Sequence, residues 1–249
     1  MDADPLRLLV LGGGSEIALR AIARLSSERD VRCVLAARDA VAARARAVEL
    51  GAEHAVVGVT TWDARDADRH DAAVAAAVEA LGGLDAAICA VGSLGHSSGE
   101  AGAVDVWSLM TANAAGPAAA LASVARAMSV RGGGSIVVLS SVAALRPRRS
   151  NYPYGAAKAA IDVFARGLAD AYPSLRVQVV RPGFVRTRMT AGLAEAPFTI
   201  GPDRAARAVV WALRGRRSRT WYVPWVLRPL FAVLRALPGP LWRVVAGDR

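Results

Sequence analysis

A phenol and an ammonium stand four residues apart at Tyr154 and Lys158, inside Ser150–Lys158, a stretch that reads as the start of a helix. Residues four apart share one helix face, so Lys158 can reach the side of the Tyr154 hydroxyl. A cation there favours phenolate and lowers the pKa of the phenol, which suits general acid/base work at a hydroxyl or carbonyl carbon. The chain has 31 Lys+Arg, and Lys158 is its only lysine. A sequence that otherwise writes cations as arginine keeps a compact ammonium where a planar guanidinium will not serve. Thirteen residues before Tyr154, Ser141 follows the apolar run Ser135–Leu139 and can bond a substrate oxygen. Asn113 lies in the apolar helical stretch Val104–Arg131, where Gly116-Pro117 can kink or split the helix. A buried amide needs partners, either a carbonyl at a kink or a proton-relay water. The competing reading of Tyr154 and Lys158 is an ordinary aromatic and a surface lysine.

The elements that must position these groups alternate between short apolar runs and helical patterns. Leu6–Leu11 reads as a buried strand, followed by Gly12-Gly13-Gly14-Ser15-Glu16-Ile17-Ala18 and a helix to Leu25. Strand, glycine-rich turn and helix put a pyrophosphate on a helix N-terminus, which assigns Gly12, Gly14, Ser15, Glu16 and Ile17 to a cofactor. Val31–Ala37 is the second strand, with Arg38 behind it and no acid at its end. An acid there would hold the ribose 2′-hydroxyl of NAD, and an arginine suits a 2′-phosphate, so NADP(H) is favoured. The alternative makes Arg38-Asp39 a helix-capping pair. Further strands are expected at His54–Val59, Leu84–Val91, Ser135–Leu139, Leu175–Val180 and Trp221–Val223, with helices over Val41–Leu50, Asp66–Leu81 and Tyr152–Tyr172. Trp62-Asp63-Ala64 can lie over an adenine, with Asp63 meeting its amine. Gly12, Arg38, Gly92, Ser141 and Pro182 all follow strands and so fall on one sheet edge, where such folds bind ligands. His96 reads as a solvated loop residue. The expectation is an α/β chain with about seven strands in a doubly wound, parallel, Rossmann-type sheet with helices on both faces. Residues 1–223 form its single domain and residues 224–249 an amphipathic helical extension.

Hydrophobic residues make up 54% of the 249 residues, enough for a large core. Cys33 and Cys89 sit in apolar runs and read as reduced thiols of a cytoplasmic protein. No signal peptide or membrane span is expected, and no residue is assigned to a metal. The formal net charge is +10. The arginines are dispersed without a nucleic-acid motif, so nucleic acid is not an expected partner, while phosphates and anionic membranes are.

In order and spacing, the Gly12–Ala18 turn, Gly92, Asn113, Ser141, Tyr154, Lys158 and Pro182-Gly183-Phe184-Val185-Arg186-Thr187 resemble the short-chain dehydrogenase/reductase family over about Leu6–Val223. The resemblance implies an NAD(P)-dependent oxidoreductase acting on CH–OH groups. Tyr154 would be proton donor, with Ser141 polarising the carbonyl and Asn113 holding a relay water. Lys158 would lower the Tyr154 pKa and bond the nicotinamide ribose. Main-chain and hydroxyl groups at Val185 and Thr187 would hold the carboxamide, and Pro182 and Gly183 would also border the cofactor. Such proteins often form dimers or tetramers. The family's usual Thr-Gly-x-x-x-Gly-x-Gly is replaced here by Leu11–Ala18, which loses two of the pattern's glycines, at Glu16 and Ala18, and its Asn-Asn-Ala-Gly by Cys89-Ala90-Val91-Gly92.

A narrower resemblance rests on Gly-Gly-x-Ser-Glu-Ile, Arg146–Gly155, Arg181–Met189 and Glu195-Ala196-Pro197. These are similar to the decaprenylphosphoryl-2-keto-erythro-pentose reductases, the reductase halves of an epimerase of actinobacterial arabinan synthesis. That implies NAD(H) use, a flavin oxidase as partner, and a 2-keto pentose on a polyprenyl phosphate as substrate. The alternative is a general ketoreductase for a soluble or acyl-carrier-bound ketone. Arg148, Arg149, Arg186 and Arg188 border the expected substrate mouth, where they capture a phosphate or remain solvated. Beyond Val223, apolar and aromatic residues with spaced arginines describe either a helix lying on anionic lipid, at the inner face of the plasma membrane, or a helix packed on the core or a second subunit.

Overall fold

The structure is a computed structural model that describes residues 4–95 and 102–246. The acidic start Met1-Asp2-Ala3 and His96 lie outside the described residues. Seven strands form one parallel sheet in the order β3-β2-β1-β4-β5-β6-β7. They are β1 (Leu6–Leu11), β2 (Val31–Ala37), β3 (Val56–Thr61), β4 (Ala86–Cys89), β5 (Gly134–Leu139), β6 (Leu175–Pro182) and β7 (Arg219–Val223). The order reverses between β1 and β4, the point at which doubly wound sheets open a crevice at their carboxyl ends.

Both sheet faces are covered, which is why the strands read as unbroken apolar runs. One face packs α1 (Glu16–Ser26), α2 (Ala40–Glu49) and α7 (Pro202–Leu213) over Leu8, Val10, Leu35, Ile88 and Val137. The other packs α3 (His70–Leu81), α5 (Gly116–Ser129) and α6 (Tyr152–Ala171) over Leu9, Val34, Ile136 and Val179.

Three elements differ from the sequence expectation. The single helix over 104–131 is α4 (Ala103–Met110), a π-helical turn at Thr111–Ala115, and α5. The irregularity precedes Gly116-Pro117. Gly116 is demanded by packing instead: a Cβ there would lie 1.6 Å from the Ala64 carbonyl oxygen. The tail is two short helices, α8 (Leu227–Leu234) and α9 (Gly239–Ala246), because Pro238 ends the first. His54 falls in a one-turn 3₁₀ segment before β3, not in the strand.

Candidate active site

The carboxyl edge of the sheet opens into a cleft of about 850 Å³. Its deep end is the turn between β1 and α1. Gly12 has φ +87°, and a Cβ there would meet the Ala90–Val91 peptide at 2.9 Å, so only glycine lets the turn pass this close to the end of β4. Ser15 caps α1, its Oγ accepting from the Ala18 N–H. Among the described residues, the N–H groups of Gly14, Glu16 and Ile17 have no backbone partner. They face an open cleft at the positive end of a helix, which fits a diphosphate. The Glu16 carboxylate pairs with Arg20 at 3.2 Å and accepts the Arg188 N–H at 3.4 Å, so its side chain ties the turn to the loop after β6.

The wall of the cleft beyond β2 carries Arg38, Asp39, Asp63, Ala64 and Arg65. Arg38 is exposed and makes no close ion pair with a described carboxylate, though its charge is felt by Asp63 across the cleft wall. Asp39 is spent as the N-cap of α2, accepting the Ala42 N–H at 2.9 Å. It is therefore not the ribose-binding acid, and the capping role falls to Asp39 alone. Asp63 is held by a bidentate pair with Arg65, which keeps its carboxyl below the usual range. Trp62 corrects the adenine reading. It is 3% exposed and turned into the core, its Nε1 donating to His70 Nδ1 at 3.0 Å, so it forms floor. Burial lowers the His70 pKa, which suits that acceptor role. Arg46, on α2, gave no signal in the sequence. It lines the same wall with its Nε buried and unpartnered, and its acids stand 3.9 and 4.0 Å away. A half-buried, under-bonded guanidinium facing a ligand cleft is visible only once α2 is docked.

Ser141, Tyr154 and Lys158 lie behind the inner end of the cleft. Lys158 is 4% exposed, and its Nζ donates to Val91 O and Leu139 O, both at 2.9 Å. The ammonium thus clamps the ends of β4 and β5 and keeps one N–H in hand. A methyl placed on Gly92 would lie 3.4 Å from Lys158 Nζ and 3.7 Å from Met189 Cε, so these side chains meet over Gly92. Lys158 Nζ stands 5.9 Å from the Tyr154 ring centre. Ser141 hydrogen-bonds the Tyr154 hydroxyl, and its Oγ accepts the Ala143 N–H at 3.1 Å. The expected lowering of the Tyr154 pKa is overturned here. Burial pushes it up to about 12 despite the Ser141 bond, and burial drives Lys158 down to about 8. With its ammonium held by two carbonyls, Lys158 does not offset the loss of water around the phenol.

Asn113 occupies the π turn, a common device for placing a side chain at a functional site. Its Oδ1 accepts the Ser93 N–H at 2.9 Å and its Nδ2 donates to Ser93 O at 2.7 Å. The buried amide therefore pairs with both backbone polar groups of Ser93 and fixes the loop after Gly92. Pro182 ends β6, and Gly183 N–H bonds Val223 O. Val185 is buried and bridges to Ile200, whereas Thr187 lines the cleft.

The four substrate arginines are not one cluster. Arg186 is bound bidentately by Glu195 at 2.5 and 3.1 Å, which takes it out of the phosphate role. Arg188 is exposed and lines the cleft. Arg148 and Arg149 stand at the one-turn segment before α6. Arg146 binds the tail: it lies 5.3 Å over the Trp242 ring and donates to Leu237 O, while Trp242 Nε1 donates to Pro147 O.

Behind the triad, Asp162 of α6 is 2% exposed and receives Arg181 through two bonds of 2.6 and 2.7 Å. Ser140 donates to the same carboxylate at 2.9 Å, and Arg181 donates to the Tyr222 hydroxyl at 2.5 Å. This network ties the catalytic helix to β5, β6 and β7. Sequence reading passed over it, because an acid in a helix and an arginine in a strand carry no mutual signal across 19 residues.

A family model described as short chain dehydrogenase matches residues 7–197. The chain belongs to this family. An uncharacterized oxidoreductase of Mycobacterium tuberculosis is 39% identical over 246 residues, covering 97% of this chain and 98% of that protein. Another, from Streptomyces coelicolor, is also 39% identical, covering 97% and 96%. The human 3-oxoacyl-[acyl-carrier-protein] reductase is 31% identical over 74% of this chain and 77% of its own. Among solved structures, actinorhodin polyketide ketoreductase with NADPH superposes with TM-score 0.76 at 24% identity, covering 90% and 97%. The protein is thus a short-chain dehydrogenase with the fold and chemistry of an NAD(P)-dependent oxidoreductase.

Proposed function

We propose that the protein uses NADPH to reduce a keto group of a 2-keto pentose carried on a polyprenyl phosphate, completing an epimerisation begun by a flavin oxidase. The observation that carries this reading is the tail. Trp242 and the carbonyl end of α8 are stapled by Arg146 to the loop that leads into the catalytic helix. On the same tail Trp225, Val233, Leu241, Val244 and Val245 are exposed beside Arg228, Arg235 and Arg243. An apolar, cationic surface fastened to the active-site loop suits a lipid phosphate held at a membrane face, and Arg188 and Arg148 are the cations left to meet the phosphate. No described helix is long and apolar enough to cross a membrane, so contact would be peripheral.

The nicotinamide, when bound, supplies the hydride. Ser141 holds the carbonyl oxygen, and Tyr154 passes its proton to that oxygen as the carbonyl carbon becomes an alcohol carbon. The free N–H of Lys158 serves a ribose hydroxyl, and its two carbonyl bonds hold the ends of β4 and β5 around the phenol. Asn113, through Ser93, keeps the loop in place. Arg38, with Arg46 below it, favours a 2′-phosphate. The likeness to 3-oxoacyl-[acyl-carrier-protein] reductases supports a second reading, an acyl-carrier ketone.

The test is cofactor oxidation with enzymatically oxidised decaprenylphosphoryl ribose, a 3-oxoacyl carrier protein and simple soluble ketones as competing substrates. Strong preference for the lipid-linked pentose is expected. Preference for the carrier-bound or soluble ketones overturns the substrate assignment.

A further inference from the structure

A second cavity lies at the opposite, amino edge of the sheet, remote from the cofactor cleft. It encloses about 460 Å³ beneath the starts of β1, β4, β5 and β6, between the last turns of α1 and α7. Leu25 and Leu213 supply an apolar wall. Four guanidinium groups line it, those of Arg29, Arg176, Arg214 and Arg216.

We infer that this cavity is a binding site for a small organic phosphate monoester, separate from the cofactor and substrate sites.

The charge balance points to a dianion. Asp85 also lines the cavity, but Arg7 neutralises it through two side-chain bonds of 2.6 and 2.9 Å. Arg214 is paired with Glu28. Among the described residues, Arg176 and Arg216 have no carboxylate partner, and Arg29 donates only to the Asp4 carbonyl. The two helix ends contribute about half a negative charge each. Three unneutralised guanidiniums against about one negative charge leave about +2, the complement of a phosphate monoester, which carries about −1.5 to −2 at pH 7.

The second observation is independent of charge. Ser135 is 3% exposed, lines the cavity, and its hydroxyl has no hydrogen-bond partner. Strand alternation aims it there, since Val137 and Leu139 of the same strand face the α1/α7 side. Most buried hydroxyls in folded proteins have a partner, so this one stands out. The hydroxyl lies sealed beneath the cavity floor; a phosphate that draws the exposed arginine side chains to itself would uncover and satisfy it, while the leucines would cover the organic part.

Isothermal titration with phenyl phosphate tests this, in the presence of saturating NADPH so that the cofactor cleft is filled. The pair Arg176→Met/Arg216→Met removes two exposed, unpaired cations, and Ser135→Ala removes the hydroxyl. A charge-matched control, Arg44→Met/Arg207→Met, removes two arginines elsewhere. One-to-one binding is expected. It should weaken at least about tenfold in the first pair and severalfold in Ser135→Ala, as lost bonds to a charged ligand do. The control should stay within about twofold of wild type, the scale of a screened surface charge. Absence of saturable binding overturns the proposal. So does equal weakening in the control pair, which would mark a diffuse charge effect. Loss in the arginine pair with indifference to Ser135→Ala also overturns it, in favour of a superficial cationic patch.

Discussion

Tyr154, half-buried beside Ser141 with its pKa pushed up to about 12, stays a phenol through the neutral range, the form a proton donor needs. Tyr154→Phe should cut reductive turnover by about 10²–10⁴-fold, the usual contribution of a general acid, while NADPH binding followed by cofactor fluorescence stays near wild type. Residual turnover close to wild type would remove Tyr154 from the chemistry. Arg38→Ala should weaken NADPH by about tenfold or more, the value of a lost charged hydrogen bond, and leave NADH unchanged; Arg46→Met should shift in the same sense. Equal effects on both cofactors would show that neither arginine reads the 2′-phosphate. Burial pushes the Cys33 thiol up to about 12 and raises Cys89 as well. Both thiols therefore stay protonated when folded, and the stability they contribute is present below the ordinary thiol value of 9.0 and lost as pH climbs toward 12. At pH 8 neither should react with a disulfide reagent until denaturant is added; rapid labelling of the native protein would contradict their burial.

Among the elements, the catalytic helix α6 depends on what sits behind it. Asp162 is buried and shared by Arg181 and Ser140. Asp162→Ala leaves the Arg181 guanidinium buried without its partner, and breaking such a pair costs about 3–5 kcal/mol. Denaturant titration should show that loss, with activity falling as the helix loosens. An effect below about 1 kcal/mol, the range of a surface pair, would mean that water replaces the carboxylate. The π turn explains why Asn113 tolerates burial: the widened turn aims its amide at the Ser93 peptide. Gly116→Ala should destabilise by at least about 1–3 kcal/mol by overpacking, because its methyl would strike the Ala64 carbonyl. The sequence suggested a kink at Gly116-Pro117 because both residues disfavour helix interiors, yet the π turn precedes them, and glycine at 116 is required by Ala64, 52 positions away.

The whole molecule has two functional ends and one apolar margin. The cofactor cleft occupies the carboxyl edge of the sheet and the arginine-lined cavity its amino edge. The tail adds an exposed apolar surface with cations, on a chain of net charge +10. If this surface meets anionic lipid, the protein should co-sediment with phosphatidylglycerol vesicles in a salt-dependent way. Leu241→Glu with Val245→Glu should abolish that binding. Both side chains are exposed, so the melting temperature should hold. Vesicle binding that survives these changes would place the membrane contact elsewhere.

Periodicity and turn chemistry are local properties, which is why the alternation of strands and helices, the glycine-rich turn and the spacing of Ser141, Tyr154 and Lys158 could be read from the chain alone. Strand ends moved by a few residues, since pairing with neighbours decides where a ladder stops. The tertiary structure decided what depends on partners distant in sequence. Glu195 engages Arg186, two strand-end carbonyls hold Lys158, and burial reverses the direction of the Tyr154 shift. Arg46 and Ser135 became candidate ligand groups only when packing deprived their polar atoms of both water and protein partners. A side chain's charge is written in its residue type, but its partners and its solvent are set by the fold.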